Sequence, residues 1–159
     1  MGIDFDKAVN EVIKKEGGFV DDPLDKGGET KYGISKRQYP HLDIRNLTKD
    51  DAKKIYYDDY WKQGKVSQVP ELLRHVYFDM CVNFGIRGAV RVLQEAANNK
   101  NKRDIKVDGL FGPNTRKAIQ KIEPDRLRSF RVLKFAKIVL KDRGQSRFWY
   151  GWFRRAISV

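Results

Sequence analysis

At 159 residues, 40% hydrophobic and 12% aromatic, the chain suits one compact domain or one domain with a small fused part, and it has enough apolar material for a core. A formal net charge of +12 favours an anionic partner without choosing among nucleic acid, cell wall and membrane surface. The lone cysteine, Cys81, excludes an intramolecular disulfide, and no run of about eighteen apolar residues is present to span a bilayer.

Residues 4–16 read as a helix, with Asp4 as its N-cap. Phe5, Ala8, Val9, Val12 and Ile13 form one apolar stripe, Glu16 continues it, and Gly17-Gly18 supplies the stop. Residues 17–35 lack helical periodicity. Gly27-Gly28 marks a turn there, which predicts a small irregular hairpin. Thr48 caps a helix running to about Gln63, with Ala52, Ile55, Tyr56, Tyr60 and Trp61 among its buried positions. Pro70 opens the next helix, which carries Leu72, Leu73, Val76, Tyr77, Met80 and Cys81 and stops near Gly85. A helix from about Arg87 to Asn98 follows, then a polar loop and a second glycine-rich loop over 107–115. A short helix to about Ile122, a long one from Pro124 to about Lys141, and a core-closing helix in 148–157 complete the chain, with Gly144 as a breaker. The expected fold is mostly α, a helical bundle with one small β hairpin after the first helix.

Glycoside hydrolysis needs one carboxylic acid to protonate the leaving oxygen, with a second carboxylate or a positioned water on the other side of the sugar. Glu16 stands on the apolar stripe and at a helix C-terminus, two places where a carboxylate anion is disfavoured. Asp25 follows nine residues later and Thr30 fourteen, and a hairpin brings both back over the helix end. Asp25 then acts as base or stabilises an oxocarbenium-like transition state, and Thr30 orients a water. Asp21 and Asp22 compete for the carboxylate role, although Asp22-Pro23 also reads as turn chemistry.

The motifs Glu16-Gly-Gly-Phe19, Asp22-Pro-Leu-Asp25 and Gly27-Gly-Glu-Thr-Lys-Tyr-Gly-Ile34 resemble the signature of glycoside hydrolase family 108, the N-acetylmuramidase type of phage endolysins. Trp61 and Asp79 with Asn83-Phe-Gly85 extend the likeness. It implies a lysozyme-like fold, Glu16 as catalytic acid, and Asp25 and Thr30 as its partners, although Thr30 comes one residue sooner than in the usual phage lysozyme pattern. Tyr32, Trp61 and Asn83 are the expected substrate contacts. Leu93-Gln94 with Val107-Asp-Gly-Leu-Phe-Gly-Pro-Asn-Thr115 is similar to peptidoglycan-binding modules. The implied organisation is a muramidase region over 1–86 and a helical peptidoglycan-binding-like region over 87–159, packed as one compact unit. The implied activity is cleavage of the β-1,4 bond between N-acetylmuramic acid and N-acetylglucosamine. A lytic transglycosylase on the same bond and a non-catalytic wall-binding protein remain open.

The expected partners are peptidoglycan glycan strands, with anionic wall or outer-membrane components attracted by the basic clusters. The chain is expected to act as a monomer without specific nucleic-acid binding, since no nucleic-acid motif accompanies the charge. His41 and His75 show no metal-ligand spacing with each other or with Cys81, so no metal or other cofactor is expected. The first thirty residues lack the apolar run of a secretory signal, so synthesis in a cytoplasm and holin-type release to the wall are expected.

Overall fold

A computed structural model describes residues 2–21 and 28–159. The chain forms two compact units, Met1–Trp61 and Lys62–Val159. Among the described residues there are seven α-helices and one two-stranded antiparallel sheet.

In the first unit, α1 (Ile3–Glu16) buries Phe5, Ala8, Val9, Val12 and Ile13, the stripe expected from its spacing. Its N-cap is Gly2, not Asp4. Asp4 lies with Asp6 in the first turn, and Lys14 and Lys15 lie in the last, both favourable against the helix dipole. Gly17 ends the helix with φ 82° and donates its N–H to the Ile13 carbonyl at 3.0 Å.

Strands β1 (Thr30–Lys31) and β2 (Ile34–Ser35) pair Thr30 with Ser35 and Lys31 with Ile34. The turn closing this sheet is Tyr32-Gly33; the turn expected at Gly27-Gly28 falls partly outside the described residues. Both central residues have positive φ, 53° and 80°, as a twist-matched two-residue hairpin requires. A separate antiparallel bridge ties Val20 to Thr30, so the chain leaving α1 runs back beside β1.

Helix α2 (Lys49–Tyr56) opens with a reciprocal cap: the Asp51 N–H donates to Thr48 Oγ1 at 3.1 Å and the Thr48 N–H to Asp51 Oδ2 at 3.0 Å. The expected α-helix to Gln63 stops at Tyr56, and Tyr57–Lys62 winds on as a π-helix. This wider winding brings Tyr57 and Trp61 edge-on to Phe5 at ring-centroid distances of 5.1 and 5.3 Å. Aromatic packing thus outweighs the ordinary helical register at this end.

In the second unit, α3 (Glu71–Phe84), preceded by Pro70, packs against α4 (Ile86–Lys100) and α6 (Pro124–Lys141). Helix α5 (Pro113–Ala118) leans on α4, and α7 (Trp149–Ser158) on α6. A 3₁₀ stretch, Arg143–Phe148, separates α6 from α7, with the Gly144 N–H held by Asp142 Oδ1 at 3.0 Å. Helix α7 does close the core: Ala156 is buried and Trp152 stacks on Phe135 at 5.1 Å. Its outer face leaves Tyr150, Phe153 and Ile157 exposed.

One buried polar centre of this unit is Asp79 on α3. Arg131 Nη2 donates to its Oδ2 at 2.5 Å, and Arg155 reaches both carboxylate oxygens at 3.2 Å. Burial alone would raise the Asp79 pKa, but the two guanidinium groups outweigh it and hold the carboxyl below its ordinary value. Cys81, buried on the same helix, has its thiol pushed up to about 12, chiefly by burial.

Candidate active site

Glu16 is the last residue of α1 and is half-buried. The backbone of Gly33 lies directly on its side chain. A Cβ added at Gly33 would stand 2.8 Å from Glu16 Cγ, 2.9 Å from Glu16 Cβ and 2.3 Å from Tyr56 Oη. Only glycine fits this position, for steric reasons and because φ is positive. The hairpin turn is therefore seated on the carboxyl-bearing side chain at the helix end.

A buried hydroxyl fixes that seat. Tyr56 Oη, from the last turn of α2, donates to the Tyr32 carbonyl at 2.7 Å. Tyr32 takes a left-handed backbone at φ 53°, which costs a non-glycine residue about 1–2 kcal/mol. The Tyr56 bond, worth about 1 kcal/mol net, offsets much of it. Sequence reading assigned Tyr56 to the core but missed this contact, because nothing in helical spacing points a core tyrosine at a particular carbonyl.

Thr30, the third expected catalytic residue, begins β1. Its backbone exchanges hydrogen bonds with Val20 at 2.7 and 2.8 Å, and its hydroxyl donates to the Gly28 carbonyl at 3.4 Å. Asp25 lies outside the described residues, as do Asp22 and Pro23. The competing Asp21 is exposed and 3.9 Å from Arg45, which also pairs with Glu29 at 3.4 Å. Arg45 further lies 5.0 Å from the ring centre of Phe19 and takes Lys31 Nζ on its carbonyl at 3.0 Å. One arginine thus fastens the chain leaving α1 to the start of the hairpin.

Of the expected substrate contacts, Tyr32 belongs to the seated turn and is half-buried. Trp61 is only 7% exposed and packs on Phe5, so it offers almost no ring face to a sugar. Asn83 belongs to the second unit, where its Oδ1 accepts from Arg131 Nη2 at 3.1 Å. The structure places Glu16, Tyr32 and Thr30 on the helix end and hairpin of the first unit. Among the described residues, no group of three His, Cys, Asp or Glu could hold a metal ion.

A mostly helical chain whose first helix ends in a glutamate beneath a small hairpin has the architecture of lysozyme-like glycoside hydrolases. Comparison with known proteins gives the family. The model of Glycosyl hydrolase 108 matches residues 9–85, and that of a Predicted Peptidoglycan domain matches 88–157. The solved structure of Brucella abortus SagA is 30% identical, with a TM-score of 0.76, covering 96% of this chain and 88% of that one. No curated protein matches the sequence. The chain belongs to the glycosyl hydrolase 108 family and carries the peptidoglycan-domain segment behind the hydrolase segment. It is thus a glycoside hydrolase acting on peptidoglycan. Among the described residues, no helix is long and apolar enough to cross a membrane.

Proposed function

We propose that this protein cleaves the β-1,4 bond between N-acetylmuramic acid and N-acetylglucosamine, with Glu16 protonating the glycosidic oxygen. The observation that carries this reading is the seating of the Tyr32-Gly33 turn on the Glu16 side chain. A general acid must be held in one orientation to protonate a leaving group, and a backbone packed against its methylenes does that. Glu16 gives its proton to the leaving oxygen. Asp25, or a water oriented by Thr30, then acts on the anomeric carbon from the other side. Tyr32, from the turn seated on the acid, contributes its ring for contact with a sugar.

In this reading residues 1–86 carry the chemistry and 87–159 hold the polymer. The net charge of +12 supports adhesion to anionic wall or outer-membrane components during the encounter. The test is mass spectrometry of products from purified peptidoglycan, with reducing ends counted for the wild type and Glu16→Gln. The wild type is expected to release muropeptides with reducing N-acetylmuramic acid ends, and Glu16→Gln to fall by about two orders of magnitude or more, the usual weight of a general acid. Intact activity in Glu16→Gln would overturn the assignment. Anhydro products would replace hydrolysis by transglycosylation.

A further inference from the structure

The second glycine loop is held by one buried side chain. Gln94 Oε1 accepts from the N–H groups of Asp108 at 3.0 Å and Gly109 at 2.9 Å. Gln94 Nε2 donates to Asp108 Oδ1 at 2.9 Å, the Leu110 carbonyl at 3.1 Å and Thr115 Oγ1 at 3.0 Å. The loop is therefore a rigid frame that presents Phe111 and the start of α5.

That frame forms one wall of a concavity of about 550 Å³ whose lining includes Lys65, Gln68, Phe111, Arg116, Lys117 and Gln120. Lys65 sits on it with a left-handed backbone, φ 53°, strain that tends to mark functional positions in a lysine. Its ammonium donates to the Phe111 carbonyl at 3.0 Å and lies 6.0 Å from that ring's centre. Among the described residues no carboxylate pairs with Lys65, Arg116 or Lys117. Three like charges without internal neutralisation, gathered in a concavity, raise the local concentration of anions.

The chemistry of the lining selects the ligand. Uncharged sugar rings accept hydrogen bonds from such side chains but leave three cations without a counter-charge. A long polyphosphate calls for an extended track, whereas this concavity of about 550 Å³ is the size of a single small-ligand site. A short amide chain bearing carboxylates uses every group present: cations for the carboxylates, the two glutamine side chains for the amides, and the Phe111 ring for an alkyl side chain. We propose that this groove binds the peptide stem of peptidoglycan through its carboxylates. The inference rests on peptidoglycan being the substrate. It makes the second unit a reader of the peptide rather than of the glycan.

The test is calorimetric titration with a disaccharide-peptide muropeptide prepared by an unrelated muramidase. Wild type is compared with an Arg116→Ala/Lys117→Ala double variant, whose replaced side chains are both exposed. Titrations with the same disaccharide stripped of its peptide, and with inorganic phosphate, run beside it. The muropeptide is expected to bind the wild type, to weaken as salt is raised, and to lose about tenfold or more in the double variant. Equal affinity of the two proteins, equal affinity for the stripped disaccharide, or equally strong binding of phosphate would each overturn the proposal. Because the muropeptide is made beforehand, failure to release reducing ends would count against the Glu16 chemistry alone and leave this result intact.

Discussion

Gly33→Ala probes the seat of the hairpin on Glu16 directly. The backbone at φ 80° costs an alanine about 1–2 kcal/mol. Its Cβ would also lie 2.3 Å from Tyr56 Oη and under 3 Å from two carbons of Glu16, so something must move. Moving Tyr56 Oη breaks its bond to the Tyr32 carbonyl, a further loss of about 1 kcal/mol. The total is roughly 2–3 kcal/mol, read as a lower midpoint in urea unfolding. The larger effect falls on catalysis, because displacing an acid by about 1 Å lowers rate on the order of a hundredfold. Gly28→Ala is the matched control. Gly28 also has positive φ, 68°, but a Cβ there would meet only Lys36 Cβ at 3.9 Å, an ordinary contact that does not touch Glu16. Reducing-end release from peptidoglycan, measured for both variants below their unfolding temperatures, separates backbone strain from displacement of Glu16. If Gly33→Ala retained as much activity as Gly28→Ala, the turn would not be what positions the acid.

Two further substitutions address the supports of each unit. Tyr56→Phe removes the hydroxyl that holds the Tyr32 carbonyl and should lower stability by about 1–2 kcal/mol. It should also lower kcat with little change in circular dichroism, and an unchanged kcat would remove Tyr56 from the positioning of the turn. Asp79→Asn leaves Arg131 and Arg155 without their counter-charge and should destabilise by roughly 3–5 kcal/mol. Because the folded Asp79 pKa is lowered, its contribution is present above the unfolded value of about 4 and is lost as pH falls through the folded one. Urea titrations from pH 7 to about pH 3 should show the wild type losing this acid-sensitive component and Asp79→Asn lacking it. An identical acid limb in both proteins would refute the account.

Much of the helical framework was legible in local sequence, because the signals are themselves local. The apolar stripe of α1, the Thr48 cap with Asp51, and Pro124 opening α6 all act within a turn or two of the chain. Glu16 was legible for the same reason: stripe, glycine stop and motif coincide on one residue. The element ends that differed involve longer contacts. The α-helix of 49–56 turns to π winding because Tyr57 and Trp61 both pack on Phe5, more than fifty residues earlier. The sheet closes at Tyr32-Gly33, where Tyr56, more than twenty residues later, supplies a bond to a strained turn.

The sequence alone therefore determined the class of elements, the charge and the candidate acid, since periodicity, capping and composition are properties of neighbouring residues. Tertiary structure decided what those residues are held by. Gly33 is glycine because Glu16 and Tyr56 occupy the space of a Cβ, and Gln94 matters because five polar groups of a distant loop converge on its amide. Asp79 carries its charge in the core because two arginines from α6 and α7 arrive beside it. Each of these depends on atoms far apart in the chain meeting within hydrogen-bond or van der Waals distance, and no local pattern encodes that meeting.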